Sequence, residues 1–285
     1  MNHTTLIQAA EVDALRRGGA PLAIFDCSFD LANPAAGRAA YEAGHVPGAQ
    51  YLHLDEDLSA PKTGRNGRHP LPTREAFAER LAARGVDAGR QVVVYDGNGG
   101  MYAARAWWML RWAGHAAVAL LDGGLAAWRA AGLPVETGNA PPPAKRGSFA
   151  LQPSLVKTVD REALLADLPR PTRLVLDARA PDRFRGENET LDPVGGHIPG
   201  ARNRLFRNNL EADGRFKAPA QLRAEFDAVT GGRAAAELVS SCGSGVTACH
   251  NLLALEVAGL GGAALYPGSW SEWSAWPGAP VATGG

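Results

Sequence analysis

Residues 44–49 read Gly-His-Val-Pro-Gly-Ala, and 152 positions later residues 196–201 read Gly-His-Ile-Pro-Gly-Ala. Other landmarks recur in the same order, among them Trp128 and Trp273, which are 145 positions apart. Self-similarity at a nearly constant spacing is typical of a duplicated structural unit. The sequence therefore predicts two related domains.

Each copy alternates short β-branched runs with helical patterns. The runs include residues 92–94 and 174–176, and the helical patterns cover residues 75–84, 103–113 and 221–229. This alternation predicts an α/β fold of two tandem domains, each a mostly parallel sheet flanked by helices, with sites at the carboxyl ends of the strands. The predicted domains are 1–138 and 150–285, joined by a linker at 139–149 that contains Pro141, Pro142 and Pro143.

The composition excludes several classes of protein. The chain has 285 residues, 46% of them hydrophobic, and its 29 Lys and Arg balance its 29 Asp and Glu. A neutral chain gives no global attraction to nucleic acid or to an anionic membrane. No stretch approaches the roughly 18 apolar residues of a membrane span. Three cysteines do not make a disulfide framework, so we expect a soluble cytoplasmic protein.

A reactive-cysteine loop is predicted at residues 241–249, Ser-Cys-Gly-Ser-Gly-Val-Thr-Ala-Cys. Cys242 follows an apolar run, and a helical pattern begins near Val246. Gly243 and Gly245 allow the loop to curl with its N–H groups inward, and the helix dipole adds positive potential at the same place. Both effects favour a thiolate, which makes Cys242 a candidate nucleophile. A buried structural cysteine is the alternative interpretation.

Only the second copy carries this cysteine. An offset of 146 places Asp96 of the first copy where Cys242 stands in the second. The sequence therefore predicts one domain with the nucleophile and one without it.

Together these features resemble the tandem-domain rhodanese family of sulfurtransferases over nearly the whole chain. The loop 242–247 is most similar to the branch that uses 3-mercaptopyruvate, because thiosulfate-using members usually carry basic residues where Gly243, Ser244 and Gly245 stand. The resemblance implies sulfur transfer from a small anionic donor, through a Cys242 persulfide, to cyanide or to a thiol acceptor such as thioredoxin or glutathione. It implies neither a metal nor an organic cofactor.

The resemblance also assigns roles to single residues. Arg183 corresponds to the arginine that binds the anionic group of the donor, and Ser244 and His45 correspond to a pair acting in proton transfer. The loop residues that hold the persulfide are Gly243, Gly245, Val246 and Thr247. From the residues alone, a solvated or ion-paired loop arginine is the simpler interpretation of Arg183. His45 and His197 occupy equivalent turns, which favours a role in orienting the backbone.

Two positions depart from the family pattern. The aspartate expected about nine residues before His45 is Ala36, and the second substrate arginine expected about nine residues after Arg183 is Asp192. Arg185 and Arg105 are the candidates to replace that arginine. These departures leave thiosulfate open as an alternative donor.

Other classes of function fit less well. A cysteine-dependent phosphatase needs an arginine six residues after its nucleophile, where this chain has Ala248. A persulfide carrier serving a partner protein stays open. Cys242, Cys249 and His250 lack the paired spacing of a zinc site. Core positions are predicted for Cys27, Cys249, Trp107, Trp108, Trp128 and Trp273.

Overall fold

A computed structural model describes residues 2–140 and 145–285, so Pro141, Pro142 and Pro143 of the predicted linker lie outside the described residues. The described residues form two compact units. The first comprises residues 2–59, 72–140, 145–155 and 212–216, and the second comprises residues 60–71, 156–211 and 217–285. Residues 60–71, from the first half of the sequence, thus belong to the second unit, and residues 212–216, from the second half, belong to the first unit. The domain boundaries stated above stay a prediction.

The first unit is a five-stranded parallel sheet with the strand order β1-β5-β4-β2-β3. Its elements are β1 (Leu6–Ile7), α1 (Ala9–Arg17), β2 (Leu22–Asp26), α2 (Ala35–Ala43), β3 (Gln50–Tyr51), α3 (Arg74–Ala83), β4 (Gln91–Tyr95), α4 (Ala103–Trp112), β5 (Val118–Leu121) and α5 (Gly124–Ala130).

The second unit repeats this arrangement with the strand order β6-β10-β9-β7-β8, again all parallel. Its elements are β6 (Lys157–Thr158), α6 (Arg161–Asp167), β7 (Leu174–Asp177), α7 (Pro181–Arg185), β8 (Arg202–Asn203), α8 (Pro219–Thr230), β9 (Leu238–Ser241), α9 (Thr247–Val257), β10 (Ala264–Leu265) and α10 (Ser269–Trp273). The predicted fold class, two α/β domains with parallel sheets, is confirmed.

The central strands are buried on both faces, as expected for parallel sheets covered by helices. Every residue of β4 and β9 is buried. Trp128 and Trp273 are fully buried in their respective cores, and each indole N–H donates to the carbonyl of a following proline, Pro134 at 2.7 Å and Pro280 at 2.9 Å. The predicted core positions of the tryptophans and of Cys27 and Cys249 are confirmed.

The two Gly-His-x-Pro-Gly turns have the same structure. The main chain of His45 bridges to Glu136, and that of His197 bridges to Ala282. Each imidazole Nδ1 lies 2.8 Å from a carbonyl oxygen, that of Tyr41 or that of Phe184. Each ring also stacks on the aromatic side chain of that same residue. Both histidines therefore join their turn to a segment of the same unit that lies more than 80 positions further along the chain.

No helix within residues 2–140 and 145–285 has the length and apolar character needed to cross a bilayer.

Candidate functional site

Cys242 lies directly after β9, which is flanked by β10 and β7 in the second sheet. Gly245 has φ +75°, in the left-handed region that favours glycine, and this turns the loop back over the sulfur. The main-chain N–H groups of Gly245 and Ser244 donate to Cys242 Sγ at 3.1 and 3.4 Å. The sulfur is almost fully buried. This arrangement suits a negatively charged sulfur.

The start of α10 fixes the loop from the other side. The main-chain N–H of Cys242 donates to Ser269 Oγ at 3.1 Å, and the N–H groups of Trp270 and Ser271 donate to the carbonyls of Cys242 and Gly243, both at 2.9 Å. Ser269 Oγ is 4.0 Å from Cys242 Sγ. Ser269 has φ +53° and is the non-glycine residue with positive φ among the described residues. Such a conformation costs about 1–2 kcal/mol outside glycine and is common at functional sites.

Ser244 contacts His69, a histidine that was not predicted from the sequence as a site residue. Its Oγ lies 2.7 Å from Nδ1 of His69, and both side chains are buried. His69 belongs to the segment 60–71, which groups with the second unit. A hydroxyl and an imidazole at this distance can pass a proton between them.

Arg183, in α7, is held by two carboxylates. Its Nε and Nη2 donate to both oxygens of Glu189 at 2.7 to 3.2 Å, and Nη2 lies 3.3 Å from Asp192. Burial disfavours ionisation of Glu189, but hydrogen bonds from Arg183 and from main-chain N–H groups keep the pKa of Glu189 below its usual range. Burial raises the pKa of Asp192, against the effect of a hydrogen bond from Arg68.

Arg68 is a second arginine beside the loop. Its Nη1 forms an ion pair with Asp192, and its main-chain N–H donates to Ser271 Oγ at 3.0 Å. A Cβ atom added to Gly243 would lie 2.7 Å from Nη2 of Arg68 and 3.8 Å from Nη2 of Arg183. Both guanidinium groups therefore approach the same main-chain position next to the cysteine.

The structure thus brings Cys242, Gly243, Ser244, Gly245 and Arg183 together in the second unit, and adds His69 and Arg68. Val246 is buried at the end of the loop, and Thr247 begins α9. The other predicted residues have different surroundings. Arg185 pairs with Glu187 at the surface, Arg105 is buried in the first unit and donates to the carbonyl of Leu58 at 3.4 Å, and His45 lies in the turn described above.

A recurrence in the sequence could have pointed to Arg68, although not to His69, whose equivalent position is Phe216. Gly67 and Arg68 return as Gly214 and Arg215 at an offset of 147, within the range of the other repeated landmarks. Arg215 lies in the segment 212–216, which groups with the first unit, and Phe216 N–H donates to Asp122 there at 2.9 Å. No group of three or more His, Cys, Asp and Glu side chains that could hold a metal is found in the described part of the chain.

The family model of the rhodanese-like domain matches this chain twice, at residues 8–131 and 160–275. The chain therefore belongs to the rhodanese family. A probable 3-mercaptopyruvate sulfurtransferase of Pseudomonas aeruginosa is 49% identical over 286 residues, covering 100% of both chains. A putative thiosulfate sulfurtransferase of Mycobacterium tuberculosis is 41% identical over 98% of this chain and 97% of its own. Their names confirm the enzyme class predicted from the sequence, a sulfurtransferase.

The solved structure of 3-mercaptopyruvate sulfurtransferase from Leishmania major has the same fold. It matches with a TM-score of 0.84 and 31% identity, over 95% of this chain and 74% of the other.

Proposed function

We propose that this protein transfers sulfur from 3-mercaptopyruvate to a thiol or to cyanide through a persulfide on Cys242. The observation that carries the proposal is the buried sulfur of Cys242, which accepts hydrogen bonds from two main-chain N–H groups. The guanidinium group of Arg183 lies beside the neighbouring residue, Gly243. The relative from Pseudomonas aeruginosa, whose name specifies 3-mercaptopyruvate, supports this choice of donor.

In the first half-reaction the thiolate of Cys242 attacks the sulfur of the donor. The new S–S bond forms as the C–S bond breaks, and the bonding electron pair leaves on carbon as the enolate of pyruvate. The thiol proton of the donor ends on that carbon, so the products are pyruvate and a persulfide anion on Cys242. The N–H groups of Ser244 and Gly245 stabilise the negative charge on sulfur.

The Ser244 and His69 pair is suited to move that proton. The 2.7 Å contact between Oγ and Nδ1 lets the hydroxyl exchange a proton with the imidazole while the donor's C–S bond breaks. We assign this role to His69 rather than to His45, because the Nδ1 of His45 is hydrogen-bonded to Tyr41 in the same way as its counterpart in the other copy.

In the second half-reaction an acceptor attacks the outer sulfur. The persulfide S–S bond breaks, a thiol leaves as its own persulfide or cyanide leaves as thiocyanate, and Cys242 returns as the thiolate. Thioredoxin and glutathione stay predicted acceptors, and a cytoplasmic location stays a prediction.

Thiosulfate is the second candidate donor. The relative from Mycobacterium tuberculosis is named a putative thiosulfate sulfurtransferase, and the two guanidinium groups beside Gly243 also suit a doubly charged inorganic anion. Attack on its outer sulfur would release sulfite and form the same persulfide.

One kinetic experiment tests these proposals. We would measure kcat/KM for 3-mercaptopyruvate and for thiosulfate, each with cyanide as acceptor, in the wild type, Cys242→Ser and Cys27→Ala. Cys27 is the matched control, because burial raises the pKa of its thiol well above the usual value. We expect a preference for 3-mercaptopyruvate, no turnover in Cys242→Ser and little change in Cys27→Ala.

Turnover retained by Cys242→Ser would refute the persulfide mechanism. A preference for thiosulfate would show that thiosulfate is the donor and would leave the persulfide mechanism in place. Slow turnover with both small donors, together with fast exchange of persulfide with a protein, would favour a carrier.

A further inference from the structure

A cavity of about 220 Å³ opens in the second unit, beside the turn at residues 198–200 and the amino end of β7. Its apolar wall is formed by buried side chains of the second core, Leu164, Val175 and Ile198. Cys242 follows the carboxyl end of β9, which runs parallel to β7. The cavity therefore lies toward the opposite edge of the sheet from the cysteine, and the proposed sulfur transfer does not use it.

Three arginines line the same cavity, Arg173, Arg202 and Arg233. Nη1 of Arg202 donates to the carbonyl of Val229 at 2.7 Å, and Nη1 of Arg233 donates to the carbonyl of Thr172 at 3.4 Å. A guanidinium group has five N–H donors. Arg202 and Arg233 are both exposed, so they retain donors for a ligand that enters from solvent.

An acidic residue, Asp167, also lines the cavity, but its carboxylate is already engaged. It accepts hydrogen bonds of 2.6 to 3.2 Å from the hydroxyl and main-chain N–H of Thr172 and from the main-chain N–H of Arg173. Burial disfavours ionisation of Asp167, but these hydrogen bonds hold the pKa of Asp167 below its usual range. Three positive charges thus accompany one negative charge, and the cavity is cationic at neutral pH.

The three arginines are not a requirement of the fold, because the first unit lacks them. Offsets of 151, 152 and 146 place Leu22, Gln50 and Asp87 of the first copy where Arg173, Arg202 and Arg233 stand in the second. Arg202 and Gln50 each begin the equivalent edge strand, β8 or β3. The positive charge is therefore a property of the second copy.

We propose that this cavity is a binding site for a small organic anion. The charged group contacts the three arginines, and the apolar part lies against the wall of Leu164, Val175 and Ile198. Ligand sites combine an apolar wall with a few polar groups, and guanidinium groups bind carboxylates and phosphates through paired hydrogen bonds. The volume is below the roughly 300–1,000 Å³ of sites for drug-sized ligands, so it suits an apolar part of about one six-membered ring.

The first experiment compares four probes on the full chain, and it does not depend on the proposed function. Phenyl phosphate and benzoate carry a ring and a charge, inorganic phosphate carries only the charge, and phenol carries only the ring. We would follow the main-chain amide of Gly200, which lines the cavity, by NMR during each titration. We expect phenyl phosphate to bind with a Kd at least about tenfold below those of inorganic phosphate and phenol. Benzoate against phenyl phosphate shows whether a carboxylate or a phosphate is the better charged group.

The second experiment removes two of the positive charges. The variant is Arg202→Gln/Arg233→Gln, and its matched control is Arg17→Gln/Arg223→Gln, which removes the same charge from helix side chains that are 75% and 50% exposed. We expect the Kd of phenyl phosphate to rise roughly 10- to 100-fold in the first variant, as for the loss of one hydrogen bond to a charged group. We expect less than a twofold change in the control.

Three results would overturn the inference. Equal increases in Kd in the two variants would mean that only the net charge of the protein matters. A shift of the Gly245 amide without one at Gly200 would place the ligand at the cysteine loop instead. Equal Kd values for phenyl phosphate and inorganic phosphate would mean that the apolar wall takes no part.

A single substitution guards against an effect of folding. Arg233→Gln changes a side chain whose contact with the main chain is 3.4 Å long, so we expect its melting temperature to equal that of the wild type. We expect its Kd for phenyl phosphate to rise at least about threefold. An unchanged Kd in Arg233→Gln, with an increase only in a destabilised double variant, would show that the arginines support the structure and do not bind the anion.

Discussion

The loop after β4 and the loop after β9 occupy equivalent places in the two units, but they hold different groups. In the loop after β4, the two carboxylate oxygens of Asp96 accept four hydrogen bonds of 2.7 to 2.9 Å. The donors are the main-chain N–H groups of Asn98, Gly100, Tyr102 and Ala103. In the loop after β9, Cys242 Sγ accepts two hydrogen bonds from main-chain N–H groups, at 3.1 and 3.4 Å. The comparison shows that both turns direct main-chain N–H donors at the side chain that begins them. The residue at that position decides whether the acceptor is a carboxylate or a sulfur.

A second difference lies where β5 and β10 lead into the next helix. Gly124 and Ser269 correspond at an offset of 145, and both have left-handed φ, +56° and +53°. A Cβ on Gly124 would lie 2.3 Å from the carbonyl oxygen of Asp96, so the first unit needs glycine there. The second unit accepts a strained serine, whose hydroxyl oxygen accepts the N–H of Cys242.

The largest effect on stability is expected from Asp96. Asp96→Ala leaves four main-chain N–H groups without their acceptor, and those of Gly100, Tyr102 and Ala103 are buried, so we expect a loss of at least about 3 kcal/mol in the free energy of unfolding. Cys242→Ala removes a weaker acceptor and should cost about 1 kcal/mol. Urea denaturation of both variants checks this difference. Equal losses would contradict the view that Asp96 is structural and Cys242 is kept for chemistry.

The two histidine turns provide an intermediate effect. Because His45 and His197 make equivalent contacts, we expect His45→Gln and His197→Gln to lower the free energy of unfolding equally, by about 1–2 kcal/mol each. Neither should lower kcat, whereas we expect His69→Gln to lower it, because His69 contacts Ser244. A fall in kcat confined to His45→Gln, without a larger loss of stability than in His197→Gln, would support the role that the family resemblance gives to His45.

The features that the sequence revealed are local ones. The apolar runs around residues 92–94 and 174–176 became buried strands, and the helix expected near Val246 begins at Thr247. Arg68 and His69 were missed, because their segment has no hydrophobic period and its place is set by contacts with residues more than 100 positions away. Asp192 was recognised as a departure, but its ion pair with Arg68 depends on tertiary structure.

The smallest effect is expected at Ser269, where two contributions to stability oppose each other. Ser269→Gly relieves about 1–2 kcal/mol of left-handed strain. It also loses about 1–2 kcal/mol from two hydrogen bonds of the hydroxyl, which accepts from the N–H of Cys242 and donates to the carbonyl of Tyr266, so its melting temperature should barely change. Ser269→Ala keeps the strain and loses the hydroxyl, so it should be the less stable of the two by about 1 kcal/mol. Both variants free one end of the cysteine loop, and we expect each to lower kcat/KM about threefold to tenfold. Full activity in Ser269→Gly would mean that the strained serine serves neither the loop nor the sulfur, and that the glycine of the first unit would do equally well in the second.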